Sequence, residues 1–590
     1  MQGTAADDQQ SPKSIPNSAG AVRAYVLAIM KTRRRFVLWY VLWSLVLSFF
    51  SCAAAQEKNA AIASAHPLAT AAGHEILKRG GNAFDAAVAV AAALAVVEPY
   101  SSGLGGGGFW LLHRAADGHQ VMVDARETAP AGITRDLYFD RDGNPIKSAT
   151  TQGGRAAAIP GAAAALAHIA QRYGRFSLNE SLAPAIRYAR EGFKVDPRYA
   201  RVARLRERFL QNGMGTARVF LDGNQAPLPG YVLRQPELAA TFELLARGGA
   251  GGFYSGRVAQ ALVAAVNAAG GVWRPADLES YQVIERAPIR FSYRGARITT
   301  AALPSAGGVA LAQSLGMLER FQLGMTGAAD TAHFVIEALR RAFQDRALYL
   351  GDSDVVPVPL ASLLDKAYAQ RRAATIDPAA ATKSDALPAE RTTRSESGNT
   401  THFSVIDAGG NRVAATLTIN LLFGAGIVAG DTGVLLNNEM DDFSLRGDVP
   451  DAFRLRGGAA NALAPGKRPL SSMTPTFVED DRGVLILGAP GGSRIVSQVL
   501  LAILEYLRVP QIDLRRLVDM PRYHHQYWPD RVEIEPEGFT PEWRAAIEAK
   551  GHAVQTANRK WGNMQVVFKS KQTGIAEAAS DPRGADVGWY

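Results

Sequence analysis

The sequence predicts an α+β protein in which sheets lie between layers of helix. Three observations predict it. An apolar helical run stands early in the chain, short alternating segments gather mostly beyond residue 400, and amphipathic helical stretches flank them.

LATAAGHEILKRG (residues 68–80) reads as a helix stopped by Gly80-Gly81-Asn82. FDAAVAVAAALAVVEP follows and is apolar on all sides, the mark of a buried helix. SSGLGGGGFWLLH and QVMVDARETAP read as glycine loop, strand, turn, strand. Residues 157–270 and 305–375 carry mostly helical periodicity, interrupted by the strand-like YQVIERAPIRFSYRGARITT. From about Ile376 to Asn399 the periodicity disappears into Ala, Ser, Thr, Pro and charge, which predicts a flexible tail. HFSVID and RVAATLTIN, joined through Gly409-Gly410, then predict a hairpin. GVLLNN, TPTFVED and GVLILGAP predict further strands, and a helix is expected from about Ser493. No internal repeat is present.

The chain has 590 residues and a formal net charge of +9. Residues 1–55 hold six Lys/Arg and two Asp, so the basic excess of the remainder is small and no cluster of Lys/Arg interleaves with aromatics. Nucleic acid is therefore not an expected partner. KTRRR (residues 31–35), the apolar FVLWYVLWSLVLSFF (residues 36–50) and Ala53-Ala54-Ala55 form the three parts of a secretory signal, with removal expected after Ala55. Met30 is a second candidate start, and TRRRFV resembles a twin-arginine signal. The expected destination is periplasmic or extracellular, in preference to an uncleaved membrane anchor. Cys52 is the only cysteine, so a mature chain has no thiol for a disulfide, a zinc site or a nucleophile.

The boundary at SESGNTTHFSVID carries the chemistry: an accessible linker runs directly into a threonine that opens a strand. A threonine hydroxyl is a weak nucleophile and needs a base. As residue one of a chain it has its own α-amine, whose ordinary pKa of about 7.7–8.0 leaves a useful neutral fraction at pH 7. By itself Thr-Thr at a strand start is most often β-propensity alone.

NTTHFSV, TLTIN, GIVAGDTGVLLNNEMDDFS, KRPLSSMTPT and APGGSRI, with GGNAFDAAVA, SGLGGGGF and DARETAP upstream, resemble the γ-glutamyltranspeptidase (glutathione hydrolase) family in order and spacing, from about residue 58 to the C-terminus. The resemblance implies an N-terminal-nucleophile hydrolase with a four-layer αββα sandwich, made by a precursor that cuts itself between Asn399 and Thr400. It divides the chain into a leader (1–55), a large subunit (56–399) and a small catalytic subunit (400–590), which pair as a heterodimer. It implies Thr400 as nucleophile, Thr418 as its orienting neighbour, and the amides of Gly491 and Gly492 as oxyanion donors. The γ-glutamyl head needs both signs of charge: Arg126 for the α-carboxylate, with Ser471 and Ser472, and Asn420, Glu439 and Asp442 for the α-ammonium. The resemblance also implies glutathione and related γ-glutamyl compounds as substrates, amino acids, peptides or water as acyl acceptors, and no metal or organic cofactor. A cephalosporin (glutaryl) acylase of similar sequence and a silent surface protein on the same fold are the alternatives. Bacterial relatives carry a tyrosine in the loop after the acidic pair; here Phe453 matches it, which predicts a looser lid.

Other signals are weaker. Gly103 to Gly108 fits GxGxxG but runs into a strand, not a helix, and reads as tight backbone packing. His524 and His525 are adjacent, lack a carboxylate at ligand spacing, and read as core histidines. His402 sits beside Thr400 but is not needed as a base. Asn179 and Asn399 fit glycosylation sequons by pattern only.

Overall fold

The computed structural model describes residues 59–325, 327–387, 400–445 and 458–584. The signal segment, Asn399 and Phe453 lie outside these residues. Strands are numbered β1 (Ala61–Ser64), β2 (Gly107–Arg114), β3 (His119–Ala125), β4 (Ile284–Arg286), β5 (Ile289–Tyr293), β6 (Ala296–Thr300), β7 (Thr400–Ile406), β8 (Arg412–Thr418), β9 (Thr476–Glu479), β10 (Gly483–Gly488), β11 (Gln565–Ser570) and β12 (Ala576–Ser580). They form two six-stranded antiparallel sheets, in the orders β1-β7-β8-β2-β3-β4 and β12-β11-β10-β9-β6-β5.

Period-two alternation sorts side chains onto the two faces of each sheet. Leu111, Ile406 and Ala414 of the first sheet meet Phe477, Ile486 and Val567 of the second in a shared inner core. The outer face of the first sheet (Trp110, Phe403, Val405, Val413) packs under helices α1 (Pro67–Lys78) and α2 (Ala83–Val97). Helices α3 (Ala306–Leu318), α4 (Ala329–Tyr349) and α5 (Arg494–Arg508) cover the outer face of the second, against Ile298, Val478 and Leu487. The result is the expected αββα sandwich.

Every residue of α2 is buried, as its all-round apolar sequence requires, and Asn82 with Asp85 closes its start as a capping box. Gly80, at φ +100°, ends the preceding helix. YQVIERAPIRFSYRGARITT does more than a single sheet requires. Its first strand, β4, belongs to one sheet, and after Ala287-Pro288 its next two, β5 and β6, belong to the other. GVLLNN is a correction: it forms only isolated bridges, Val428 to Leu435 and Gly105 to Leu436, because its backbone bonds to Ala425, Ile427, Ala429 and Gly105, none of which lies in a strand. The segment read as a flexible tail is described as far as Leu387, and there it is held. Ala381 N–H donates to Lys550 O at 2.6 Å, Ser384 N–H to Asp530 at 2.8 Å, and Leu387 O accepts from the Tyr527 hydroxyl. Among the described residues no helix is long and apolar enough to cross a membrane.

His524 and His525 are core histidines. The ring of His524 shares hydrogen bonds with Ser497 Oγ and Gln526 Oε1, both at 2.9 Å, and that of His525 with Asp530 at 3.3 Å. Burial lowers the pKa of His524 from 6.5 to about 4. The unfolded chain therefore takes up this proton first, and the residue costs stability as pH falls from 6.5 towards 4. His524→Gln removes the cost. Its stability relative to the parent, measured by urea midpoint, is expected to improve by roughly 2 kcal/mol between pH 7 and pH 5.

Candidate active site

The hairpin of β7 and β8 pairs Thr400 with Thr418, the first residue of one strand against the last of the other. Thr400 is buried, and the Thr418 hydroxyl accepts the Asn420 N–H at 2.7 Å. That return places Asn420 at φ +69°, a left-handed conformation asparagine tolerates, and aims its Nδ2 at Asn438 O, 2.9 Å away. The glycine run before β2 is the floor of this arrangement. A Cβ at Gly106 would stand 2.0 Å from Thr418 O, and one at Gly105 2.1 Å from Leu435 O. Gly106→Ala must therefore push Thr418 aside. It is expected to slow turnover about a hundredfold, the order lost on a displacement of about 1 Å, measured as kcat.

Arg126 follows β3 directly and is held on every side. Its N–H donates to Asp124 Oδ1 at 2.9 Å, its Nε to Pro469 O at 3.1 Å, and its own carbonyl accepts from the Tyr281 hydroxyl at 2.8 Å. The guanidinium forms ion pairs with Glu439 and with Asp442, which sit one turn apart in a 3-10 helix. Burial works against the charge on Arg126, but Glu439, Asp442 and Glu127 outweigh it and raise its pKa above the ordinary value. Burial also pushes the carboxyls of Glu439 and Asp442 upward, with Arg126 offsetting only part of the effect. Glu127, equally buried, is pushed up to about 7.

These groups converge on one small cavity of about 20 Å³, lined by Arg126, Thr400, Thr418, Asn420, Glu439, Asp442, Ser471, Ser472 and Gly492. That volume holds about one water. Nine of the ten side chains and amides expected from the sequence thus meet, although they span residues 126 to 492. Asn420 Oδ1, Glu439 Oε2 and Ser472 Oγ are buried there with no hydrogen-bond partner among the described residues. Orphan polar atoms of this kind mark a place for a polar ligand. Ser471 differs: its hydroxyl already accepts the Met473 N–H at 3.1 Å.

Gly491, the tenth, lines a larger neighbouring cleft. Gly491 and Gly492 have φ of +129° and +58°, and they form the turn that leads into α5. Such a turn directs backbone N–H groups outward at a helix start, where negative charge is favoured. His402, on the same face of β7 as Thr400, is occupied elsewhere. Its ring shares hydrogen bonds with Thr416 Oγ1 (2.8 Å) and Ser404 Oγ (3.2 Å), and burial lowers its pKa to about 3.

The sequence reading missed Arg346, which lines the cavity from α4, and Glu127, which pairs with Arg126 at 3.4 Å. Arg346 lies in the stretch of α4 from Val335 to Arg346, where every residue is buried, so no exposed-against-buried periodicity sets it apart in the sequence.

The γ-glutamyltranspeptidase family model matches residues 69–589. The chain belongs to the γ-glutamyltranspeptidase family. The match includes every residue that lines the cavity. The glutathione hydrolase proenzyme of Escherichia coli (strain K12) is 40% identical over 535 residues, covering 90% of this chain and 91% of the relative. Among solved structures, the γ-glutamyltranspeptidase of Helicobacter pylori superposes with a TM-score of 0.54 at 36% identity, covering 55% of this chain and 93% of that one. A cephalosporin acylase from Bacillus halodurans superposes with a TM-score of 0.78 at 28% identity, over 90% of this chain and 95% of that chain. Proteins named for γ-glutamyl transfer and for cephalosporin acylase activity thus share the architecture found here.

Proposed function

We propose that this protein is a self-processing γ-glutamyl hydrolase and transferase, acting on glutathione and related compounds through a Thr400 ester. The observation that carries the reading is a cavity holding Thr400 together with two arginines, Arg126 and Arg346, and two carboxylates, Glu439 and Asp442, that are ion-paired to Arg126. A free α-amino acid head is a zwitterion. Its carboxylate can take the Arg126 fork while its ammonium takes Glu439, Asp442 and the unpartnered Asn420 Oδ1. The internal ion pairs are exchanged for equivalent ones, so burial of the head adds no net charge.

Cleavage between Asn399 and Thr400 frees the Thr400 amine. That amine takes the hydroxyl proton as Oγ attacks the γ-carbonyl carbon. The Gly491 and Gly492 amides stabilise the resulting oxyanion, an interaction whose single donors are worth about a hundred- to a thousandfold in rate. The C–N bond then breaks, and the α-ammonium returns the proton to the leaving amine. Water or an acceptor amine attacks the ester, gives its proton to the α-amine, and Thr400 Oγ leaves with that proton. The basic patch and apolar run of residues 31–50 support export of the chain before it works.

An acylase reading is served less well, because a glutaryl donor has no ammonium for Glu439 and Asp442. Comparing γ-glutamyl-anilide with glutaryl-anilide tests this: the first is expected to be the better substrate by about a hundredfold or more. A preference for the second overturns the reading.

A further inference from the structure

Beyond the turn at residues 491–493 the small cavity gives way to a cleft of about 880 Å³. The two spaces meet there, since Ser493 lines both while Gly492 faces one and Gly491 the other. The cleft therefore begins at the turn of residues 491–493 and is not lined by Arg126, which leaves it open to the part of a donor beyond the scissile amide.

Its charge is one-sided. Seven arginines and lysines line it against two acids, Asp519 and Glu533, although Arg198, Lys560 and Arg583 pair with Glu98, Glu537 and Glu535 outside the lining. Glu533 is shared by Arg494 at 2.8 Å and Arg531 at 2.9 Å, so one carboxylate serves two guanidinium groups. Arg201 and Arg559 are exposed, and among the described residues neither has a carboxylate within ion-pair distance. Trp561 lies under the Arg494 guanidinium at 5.2 Å and is 8% exposed, and its indole N–H has no acceptor among the described residues. A concave surface with unpaired cations and a buried orphan donor fits a ligand that brings several acceptor oxygens.

We propose that this cleft is a subsite for acidic peptides, taking leaving groups and acyl acceptors that carry two or more carboxylates. The inference rests on the γ-glutamyl transfer reading and adds the chemistry of the second substrate to it. A dipeptide with a single carboxylate leaves at least one of the two unpaired cations, Arg201 and Arg559, unused. Acceptors with side-chain carboxylates engage Arg201 and Arg559, which take no part in the chemistry.

The test compares Glu-Glu with Gly-Gly as acceptor of the acyl group from a γ-glutamyl anilide, in the parent and in Arg201→Gln/Arg559→Gln. In the parent, kcat/KM for Glu-Glu is expected to exceed that for Gly-Gly by about tenfold at low salt, the scale of electrostatic focusing in a charged cleft. The preference should shrink as ionic strength rises from about 0.05 to 0.5 M. In the double variant the ratio should fall towards one while hydrolysis of the anilide, which also reports folding, stays at the parental rate. A ratio near one in the parent, or one untouched by the two substitutions, overturns the proposal and leaves γ-glutamyl transfer standing. Absence of anilide turnover in the parent overturns both.

Discussion

Thr400→Ala is expected to leave the polypeptide uncut and to lower turnover by about 10⁴-fold or more, the order lost when a hydrolase loses its nucleophile. One substitution removes the attacking oxygen for the cut and for the later reaction. Without the cut it also denies the site its base, since the amine stays locked in a peptide bond. Thr400→Ser keeps the hydroxyl and should cut more slowly, then turn over. Thr418 and Asn420 would still hold the neighbouring backbone in either variant, so the fold should persist. A denaturing gel and N-terminal sequencing of the smaller fragment check both outcomes. Full activity from a chain continuous through residue 400 would refute the mechanism.

Arg126→Ala is expected to lower kcat/KM for γ-glutamyl donors by about a thousandfold, the equivalent of two charge-assisted hydrogen bonds at roughly 2 kcal/mol each. It should also destabilise the protein by about 3–5 kcal/mol, because Glu439 and Asp442 are left buried without their cation. The two effects can be separated. Adding Asp442→Asn removes one of the stranded charges and should recover part of the stability while recovering none of the activity. Asp442→Asn alone gives a sharper reading of the ammonium pocket. It should weaken γ-glutamyl donors and leave the slow reaction of a glutaryl donor untouched. Denaturant midpoints and paired kinetics on the two anilides read both.

The fold was legible wherever periodicity was strong. The all-apolar run at residues 83–97, the hairpin around Gly409-Gly410 and the helix after Ser493 all stand where the pattern places them. Patterns failed where tertiary position decides the state. GVLLNN has β-propensity but its backbone partners are loop residues, and it finds only single bridges. Residues 376–387 have no periodicity, yet partners supplied by other segments, such as Lys550 O, hold them. The site was legible through resemblance, because no local rule joins Arg126 to Asp442. Glu127 and Arg346 escaped for the same reason: their importance comes from what surrounds them in space.

The strands on either side of residue 400 are interleaved. β7 lies between β1 and β8, β8 pairs in turn with β2, and β9 pairs with β6 in the other sheet. A break before Thr400 consequently leaves two polypeptides zipped together along three hydrogen-bonded seams, with Arg126 of one clasped by acids of the other. Dilution has no flat interface to part, and either half made alone would present raw strand edges prone to aggregate. Native sizing should therefore show one particle, and a denaturing gel two fragments.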